Sequence, residues 1–168
     1  MLFSILIANY NNGHFFKDCY ESIMQQTFTN WEVIIVDDES LDDSVNIIKQ
    51  LISNDKRFKL FQNTENKGCG YTKNKCAKLA SGEILGFVDS DDALKPNAIE
   101  IMITAHKEFK SAAIVTSRFE LVDLYLNYIK DGDIGSEIPR NKSYLTFGKG
   151  ALTHFATFKN AAYKKLME

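Results

Sequence analysis

The sequence predicts an α/β protein, a three-layer α/β/α sandwich around a mostly parallel sheet. Three observations carry this. Short apolar runs alternate along the chain with segments whose apolar residues recur at helical spacing. The runs are nearly continuous, as in strands covered on both faces. Acidic or amide residues follow several runs directly, at the carboxyl edge where open α/β sheets bind ligands.

In chain order, Leu2 to Ala8 reads as the first strand, and Phe16, Tyr20 and Ile23 mark the helix that follows. Trp31 to Val36 is a second buried run, closed by Asp37 and Asp38. Ser40 is placed to cap the next helix, with Asp43 three residues on and Val45, Ile48 and Ile52 as its apolar face. Phe58 to Phe61 is a third, weaker strand, and Tyr71 to Ala80 a helix opened by the polar stretch NTENKGCG. There Gly68 is free to take positive φ. Ile84 to Val88 is the fourth strand, Pro96 suits the first turn of a helix reaching about Phe109, and Ala112 to Ser117 is a fifth strand. Beyond Phe119 the pattern weakens. DGDIGSEIPRNKS reads as a loop, and the last residues as a short strand and the start of a helix. Strand–helix alternation implies right-handed parallel crossovers.

The chain's 168 residues suffice for one domain with a sizeable core, and 45% hydrophobic with 25% charged residues is ordinary for a globular protein. A net charge of -2 argues against a nucleic-acid partner bound through bulk charge. No apolar stretch reaches the length of a membrane span, and MLFSILIANY reads as a strand, not a signal peptide. Cys19, Cys69 and Cys76 form no CxxC pair and read as reduced thiols. A cytoplasmic location follows as an expectation, with peripheral membrane contact left open.

EILGFVDSDDALKPN holds the most informative charges. Asp89 and Asp91 stand at i and i+2, which in an extended chain directs both side chains the same way, about 7 Å apart. Carboxylates so placed repel unless a cation lies between them, and a hard divalent ion, Mg2+ or Mn2+, is the natural partner. Acids favouring the N-terminus of the following helix are the plainer alternative, which fits Asp92 best. Asp37–Asp38 and the residues after the first strand, Asn9 to Asn11, fall at the same sheet edge. Neither a P-loop nor a GxGxxG fingerprint is present.

SILIANYN at 4–11, NWEVIIVDDES at 30–40 and NKGCGYTKNKCAKLASGEILGFVDSDD at 66–92 together resemble family 2 glycosyltransferases of the GT-A fold, a Rossmann-like nucleotide-binding sandwich. HFATFKNAAYKKL resembles a later segment of the family. The resemblance implies a nucleotide-sugar donor, usually linked to UDP, a Mn2+ or Mg2+ ion, a saccharide or lipid-linked acceptor, and inverting transfer. By the same resemblance, Tyr10 stacks on the base, Asp38 reads its edge with Asp37 beside it, and Ala8 brings its backbone near the nucleotide. Lys73 approaches the donor, Asp89 and Ser90 lie near ribose and sugar, and Asp91, with Asp89, holds the metal. Residues 1–118 would form the nucleotide-sugar part of one domain and 119–168 the start of the acceptor part.

The family's catalytic base is an acid downstream of the HFATFKNAAYKKL-like segment, and Glu168 follows that segment too closely to be equated with it. The expectation is therefore of a chain truncated at its C-terminus, with the base beyond it and turnover in doubt. Two other classes stay open at this stage: a nucleotidyltransferase-type enzyme, and a non-catalytic nucleotide-binding module.

Overall fold

The computed structural model describes residues 1–132 and 154–167. The elements run β1 (Phe3–Asn9), α1 (Phe16–Met24), β2 (Trp31–Asp37), α2 (Ser44–Ile52), β3 (Phe58–Gln62), α3 (Cys69–Leu79) and β4 (Ile84–Phe87). They continue with α4 (Ala98–Glu108), β5 (Ile114–Thr116), β6 (Glu120–Val122), β7 (Tyr128–Asp131), β8 (Ala156–Lys159) and α5 (Asn160–Met167). The loop read into DGDIGSEIPRNKS lies, from residue 133 on, outside the described residues, as does Glu168.

One six-stranded sheet has the order β3-β2-β1-β4-β8-β5. β1 pairs in parallel with β2 and β4, and β2 with β3. Both faces are covered, which is why these strands read as unbroken apolar runs. On one face Phe3, Ile5, Ile7, Val33 and Ile35 meet Phe16, Cys19 and Ile23 of α1, Ile48 of α2, and Ile99, Met102 and Ile103 of α4. On the other, Leu6, Ile34, Val36 and Leu85 meet Cys76 and Ala77 of α3, with Tyr163 of α5 packed alongside. Each fully buried Ile, Leu or Phe contributes about 1.5–3 kcal/mol. The three layers are therefore α1, α2 and α4, then the sheet, then α3 and α5.

Two readings are corrected. Ser40 does not cap α2, which begins at Ser44 after Asp43. Its hydroxyl instead donates to Asp37 Oδ2 at 2.5 Å, a bond closer in sequence than the helix it was expected to serve. Pro96 does not lie inside α4. It precedes the N-cap Asn97, and its carbonyl accepts the Thr27 amide at 2.8 Å. Beyond these, β8 enters between β4 and β5, antiparallel to both, a placement for which the sequence reading named no neighbours. Gly86 of β4 makes room there, since a Cβ would lie 2.7 Å from the Phe155 ring and 2.8 Å from that of Phe3. β6 and β7 form a separate two-stranded hairpin that the sequence pattern did not announce. Of the described elements after residue 119, β8 joins the main sheet.

Candidate functional site

The carboxyl ends of β1, β2 and β4 open on a cavity of about 390 Å3. Ala8, Tyr10, Asp38, Lys73, Asp89, Ser90 and Asp91 all line it, together with Asn9, Asn12, Asn66, Gly68, Cys69 and Thr72. Seven of the eight residues singled out from sequence therefore meet in one place. Asp37 is the exception and lies behind the wall.

Asp38 is the most firmly held of them. Its Oδ1 accepts Asn63 Nδ2 at 2.6 Å and the Lys67 amide at 2.9 Å, and its Oδ2 accepts the Gly68 amide at 2.7 Å. Burial would raise this carboxyl, but the bonds from Lys67, Asn63, Thr72 and Gly68 outweigh it and hold the group below the usual carboxylate range. Gly68 has φ +83°, a left-handed conformation that suits glycine and aims its amide at Asp38. The carboxylate thus lines the cavity already held by its neighbours. Asn63 and Thr72 were missed in the sequence reading. Asn63 follows directly on β3, so the same strand-end rule that found Asp38 would have found it.

Asp37 is fully buried. It accepts Asn9 Nδ2 at 2.8 Å and the Ser40 amide at 2.9 Å, and Ser40 in turn accepts the Asn11 amide at 2.9 Å. This lock ties the loop after β2 to the loop after β1. Asn11 (φ 51°) and Glu39 (φ 65°) are both left-handed there. Such conformations cost about 1 kcal/mol or more in a non-glycine residue and cluster at functional sites. Glu39 spends its carboxylate on the Asn66 amide, at 2.8 Å, on the cavity wall.

On the opposite wall the chain does not stay extended after β4. The Asp92 amide donates to the Asp89 carbonyl at 3.0 Å, closing a turn over Ser90 and Asp91. This overturns the extended premise by which Asp89 and Asp91 were expected to share a direction: the turn brings residues i and i+3 to one side. Ser90 is buried, and its hydroxyl accepts Asn12 Nδ2 at 3.3 Å. Lys73 Nζ stands 2.7 Å from Asp89 Oδ1. Partial burial would lower the ammonium, but Asp89 more than compensates and holds it above its ordinary value. Partial desolvation, then the charges of Asp89 and Asp91, push the Asp92 carboxyl up.

A larger cavity of about 1170 Å3 adjoins the first across Asp89 and Asp91. Its far wall is the β6–β7 hairpin with Arg118 and Phe119, and His154 and Phe155 close one end. Three carboxylates and an imidazole around open space make a donor set that fits a hard or borderline divalent cation. No helix among the described residues is long and apolar enough to cross a membrane.

This architecture has known relatives. The chain is 36% identical over 131 residues to chondroitin synthase of Escherichia coli, an overlap covering 78% of this chain and 19% of that protein. It is 37% identical over 103 residues to UDP-Glc:alpha-D-GlcNAc-diphosphoundecaprenol beta-1,3-glucosyltransferase WfgD of Escherichia coli, covering 61% of this chain and 40% of that one. Its fold matches TarS of S. aureus, solved with UDP-GlcNAc, at a TM-score of 0.77 and 23% identity, over 99% of this chain and 48% of the TarS chain. The chain thus spans less than half the length of each of these three. The glycosyl transferase family 2 model matches residues 4–167, and the chain belongs to that family.

Proposed function

We propose that this chain carries the donor half of an inverting, metal-dependent glycosyltransferase using a UDP-sugar. The observation that supports it most is a single cavity lined by an exposed aromatic ring, Tyr10, a fixed carboxylate, Asp38, and a cation beside acids, Lys73 with Asp89 to Asp91. These are the three chemistries a nucleoside diphosphate needs: a stacking face, an acceptor for a base N–H, and positive charge for phosphate.

In this reading the uracil ring stacks on Tyr10 and donates its N3–H to Asp38. The Ala8 backbone borders the nucleotide, and Asp37 works at one remove by holding the loop through Asn9 and Ser40. Asp89 and Ser90 face the ribose and sugar. Lys73 turns from Asp89 to the diphosphate. Asp91, with Asp89, would hold a Mn2+ or Mg2+ ion, whose contribution when bound is Lewis-acid stabilisation of charge on the diphosphate. An acceptor hydroxyl, on a saccharide or a lipid-linked saccharide, attacks the anomeric carbon from the face opposite the leaving group. A C–O bond forms as the bond to the diphosphate breaks, and the configuration inverts. The acceptor enters through the larger cavity, so residues 1–118 serve the donor and 119–168 begin the acceptor side. The hydroxyl proton goes to a general base that no described residue is assigned to supply. The relatives' names, which carry UDP-Glc and a diphosphoundecaprenol acceptor in one case and UDP-GlcNAc in another, agree with this reading.

The test is a calorimetric titration of the chain with UDP and with GDP. Binding of UDP at least about tenfold tighter than GDP, lost in Tyr10→Ala, is expected. Equal binding of both, or none by a folded sample, contradicts the proposal.

A further inference from the structure

The β6–β7 hairpin carries an apolar surface that donor binding does not use. Residues 121–129 read LVDLYLNYI, and all seven large apolar side chains in that stretch are exposed, Leu124 by 78% and Tyr125 by 85%. The two polar residues are consumed by the turn itself. Asp123 Oδ1 accepts the Tyr125 amide at 2.8 Å and the Asn127 amide at 2.9 Å, and Asn127 Nδ2 donates to Asp123 Oδ2 at 3.0 Å. The Leu126 amide donates to the Asp123 carbonyl at 3.0 Å, and the Asp123 amide to the Asn127 carbonyl at 3.0 Å. Asp123 and Asn127 thus form a collar behind a tip of Leu124, Tyr125 and Leu126. Leu126 has φ 61°, a left-handed conformation that glycine takes freely and leucine does not. Leucine displays an apolar side chain where glycine would sit without strain. The stem is tied to the main domain, since Lys95 Nζ, in the loop before α4, meets Glu120 Oε2 at 2.7 Å. Leu121, Val122, Leu124 and Leu126 also line the larger cavity, so one hairpin supplies both that cavity's wall and the exposed tip.

We infer that the tip of the β6–β7 hairpin is a membrane-docking element that seats the rim of the larger cavity on a lipid bilayer. Three arguments choose a bilayer as the occupant. A tip of three side chains falls well short of the about 800 Å2 per partner that a stable protein interface covers. The amides of Asp123, Tyr125, Leu126 and Asn127 are bonded within the turn, as an apolar medium requires of any backbone that enters it. Tyrosine beside leucine suits the membrane–water boundary, where an amphipathic ring lies at headgroup level above buried aliphatic groups. A second copy packed over the whole hairpin would also cover wall residues of the cavity through which the acceptor enters. A bilayer leaves that cavity open and brings a lipid-linked acceptor to it. The hairpin's charges set the kind of docking. Glu120, Asp123 and Asp131 outnumber Lys130, so burial of apolar groups, not attraction to anionic headgroups, supplies the binding force.

The inference rests on the proposed function for the lipid-linked acceptor, but the docking itself is measured without donor or acceptor. The experiment is flotation of the full chain with phosphatidylcholine vesicles, repeated with phosphatidylglycerol added and again at high salt. Wild type is expected to float with both kinds of vesicle, indifferent to salt. Leu124→Ser combined with Leu126→Asn should lower partitioning at least about tenfold. Neither residue lines the donor cavity, so UDP affinity should hold, and Tm should not fall, because asparagine accepts the left-handed φ. In Tyr125→Trp, lipid brominated on its acyl chains should quench the introduced indole, whereas Trp31, buried in the core, stays unquenched in wild type. No flotation by a sample whose circular dichroism shows it folded overturns the inference. So does equal flotation of wild type and the double variant, or flotation that needs phosphatidylglycerol and disappears in salt. Self-association of wild type that the double variant abolishes, with no flotation, would assign the tip to a second copy and likewise overturns it. Flotation by a chain that fails to bind UDP would sink the donor reading and leave the docking standing; UDP binding without flotation would do the reverse.

Discussion

The two walls of the smaller cavity are built on opposite principles. On one, Asp38 is buried and accepts three hydrogen bonds from groups on β3's exit and the entry to α3. On the other, Asp91 and Asp92 are exposed, and Asp89 has an ammonium as its partner. The first wall is finished before any ligand arrives. The second is a concentration of negative charge that lacks enough positive charge to settle it. The contrast teaches that the buried carboxylate is suited to reading a flat, neutral group of fixed shape, whereas the open ones suit a ligand that brings its own cation. Preorganisation belongs to the base side, and adaptability to the phosphate side.

The comparison breaks most severely at Asp38. Asp38→Ala leaves the Lys67 and Gly68 amides and Asn63 facing a gap, and unpaired buried donors cost about 1–3 kcal/mol each before relaxation. A net loss of about 3 kcal/mol is expected, lowering Tm by about 9 °C for a chain of this length. Denaturant unfolding and calorimetry check it, and UDP binding should disappear. A variant as stable as wild type would show that the wall is not preorganised.

Glu32, at the other end of the same strand, sharpens the comparison because it too is buried and hydrogen-bonded but lines neither of the two cavities. Ser4, Lys59 and Ser81 donate to it, and Ser81 does so through both amide and hydroxyl. Burial would raise this carboxyl, yet those bonds lower it from 4.5 to about 2. A folded value below the unfolded one means stability that is present above about pH 4.5 and lost as pH falls through about 2. Two and a half units correspond to about 3 kcal/mol at most. Glu32→Gln should therefore flatten the acid limb of the stability–pH curve between pH 5 and 2 and leave UDP affinity at neutral pH unchanged, as read by unfolding across that range. A depressed carboxylate alone does not mark a site; its access to open space does.

Lys73→Met tests the open wall. A partly exposed pair contributes about 0–1 kcal/mol, so stability should barely move. UDP affinity should fall about tenfold while uridine affinity holds, measured by paired titrations. Equal losses for both ligands would mean that Lys73 shapes the base side instead. The smallest effect is expected at Glu39. Glu39→Gly relieves the positive φ by about 1 kcal/mol but frees the Asn66 amide, so stability should shift by less than about 1 kcal/mol while UDP weakens a few-fold. Unchanged UDP affinity would remove Glu39 from the wall's construction.

Much of this was legible in sequence, for physical reasons. SILIAN and WEVIIVDD are strands sealed on both faces, so their composition states their environment, and the acids that end them fall at the edge by topology. Tyr10, Asp38 and Asp89 could be placed in this way, whereas Lys73, inside α3, was placed by the family resemblance alone. What stayed hidden depended on pairing over distance or on local choice. β8 inserts between β4 and β5 through contacts some 70 residues away in sequence, which no local period encodes. The β6–β7 hairpin is exposed along both strands, so it has no buried face to impose alternation. DSDD was read as extended although Asp-Ser-Asp is turn chemistry, and the turn decides which acids share a side. Ser40 had two uses open to it, capping a helix or bonding its neighbour Asp37, and only the fold selects between them.

The most direct measurement sets the two walls against each other in one experiment: calorimetric binding of uridine and of UDP, each with and without Mn2+. Uridine should bind weakly and with the same affinity in both conditions, because Tyr10 and Asp38 need no ion. UDP should bind at least about tenfold more tightly when Mn2+ is present. Uridine binding that requires Mn2+, or UDP binding indifferent to it, would contradict the division between a preformed base wall and an ion-dependent phosphate wall.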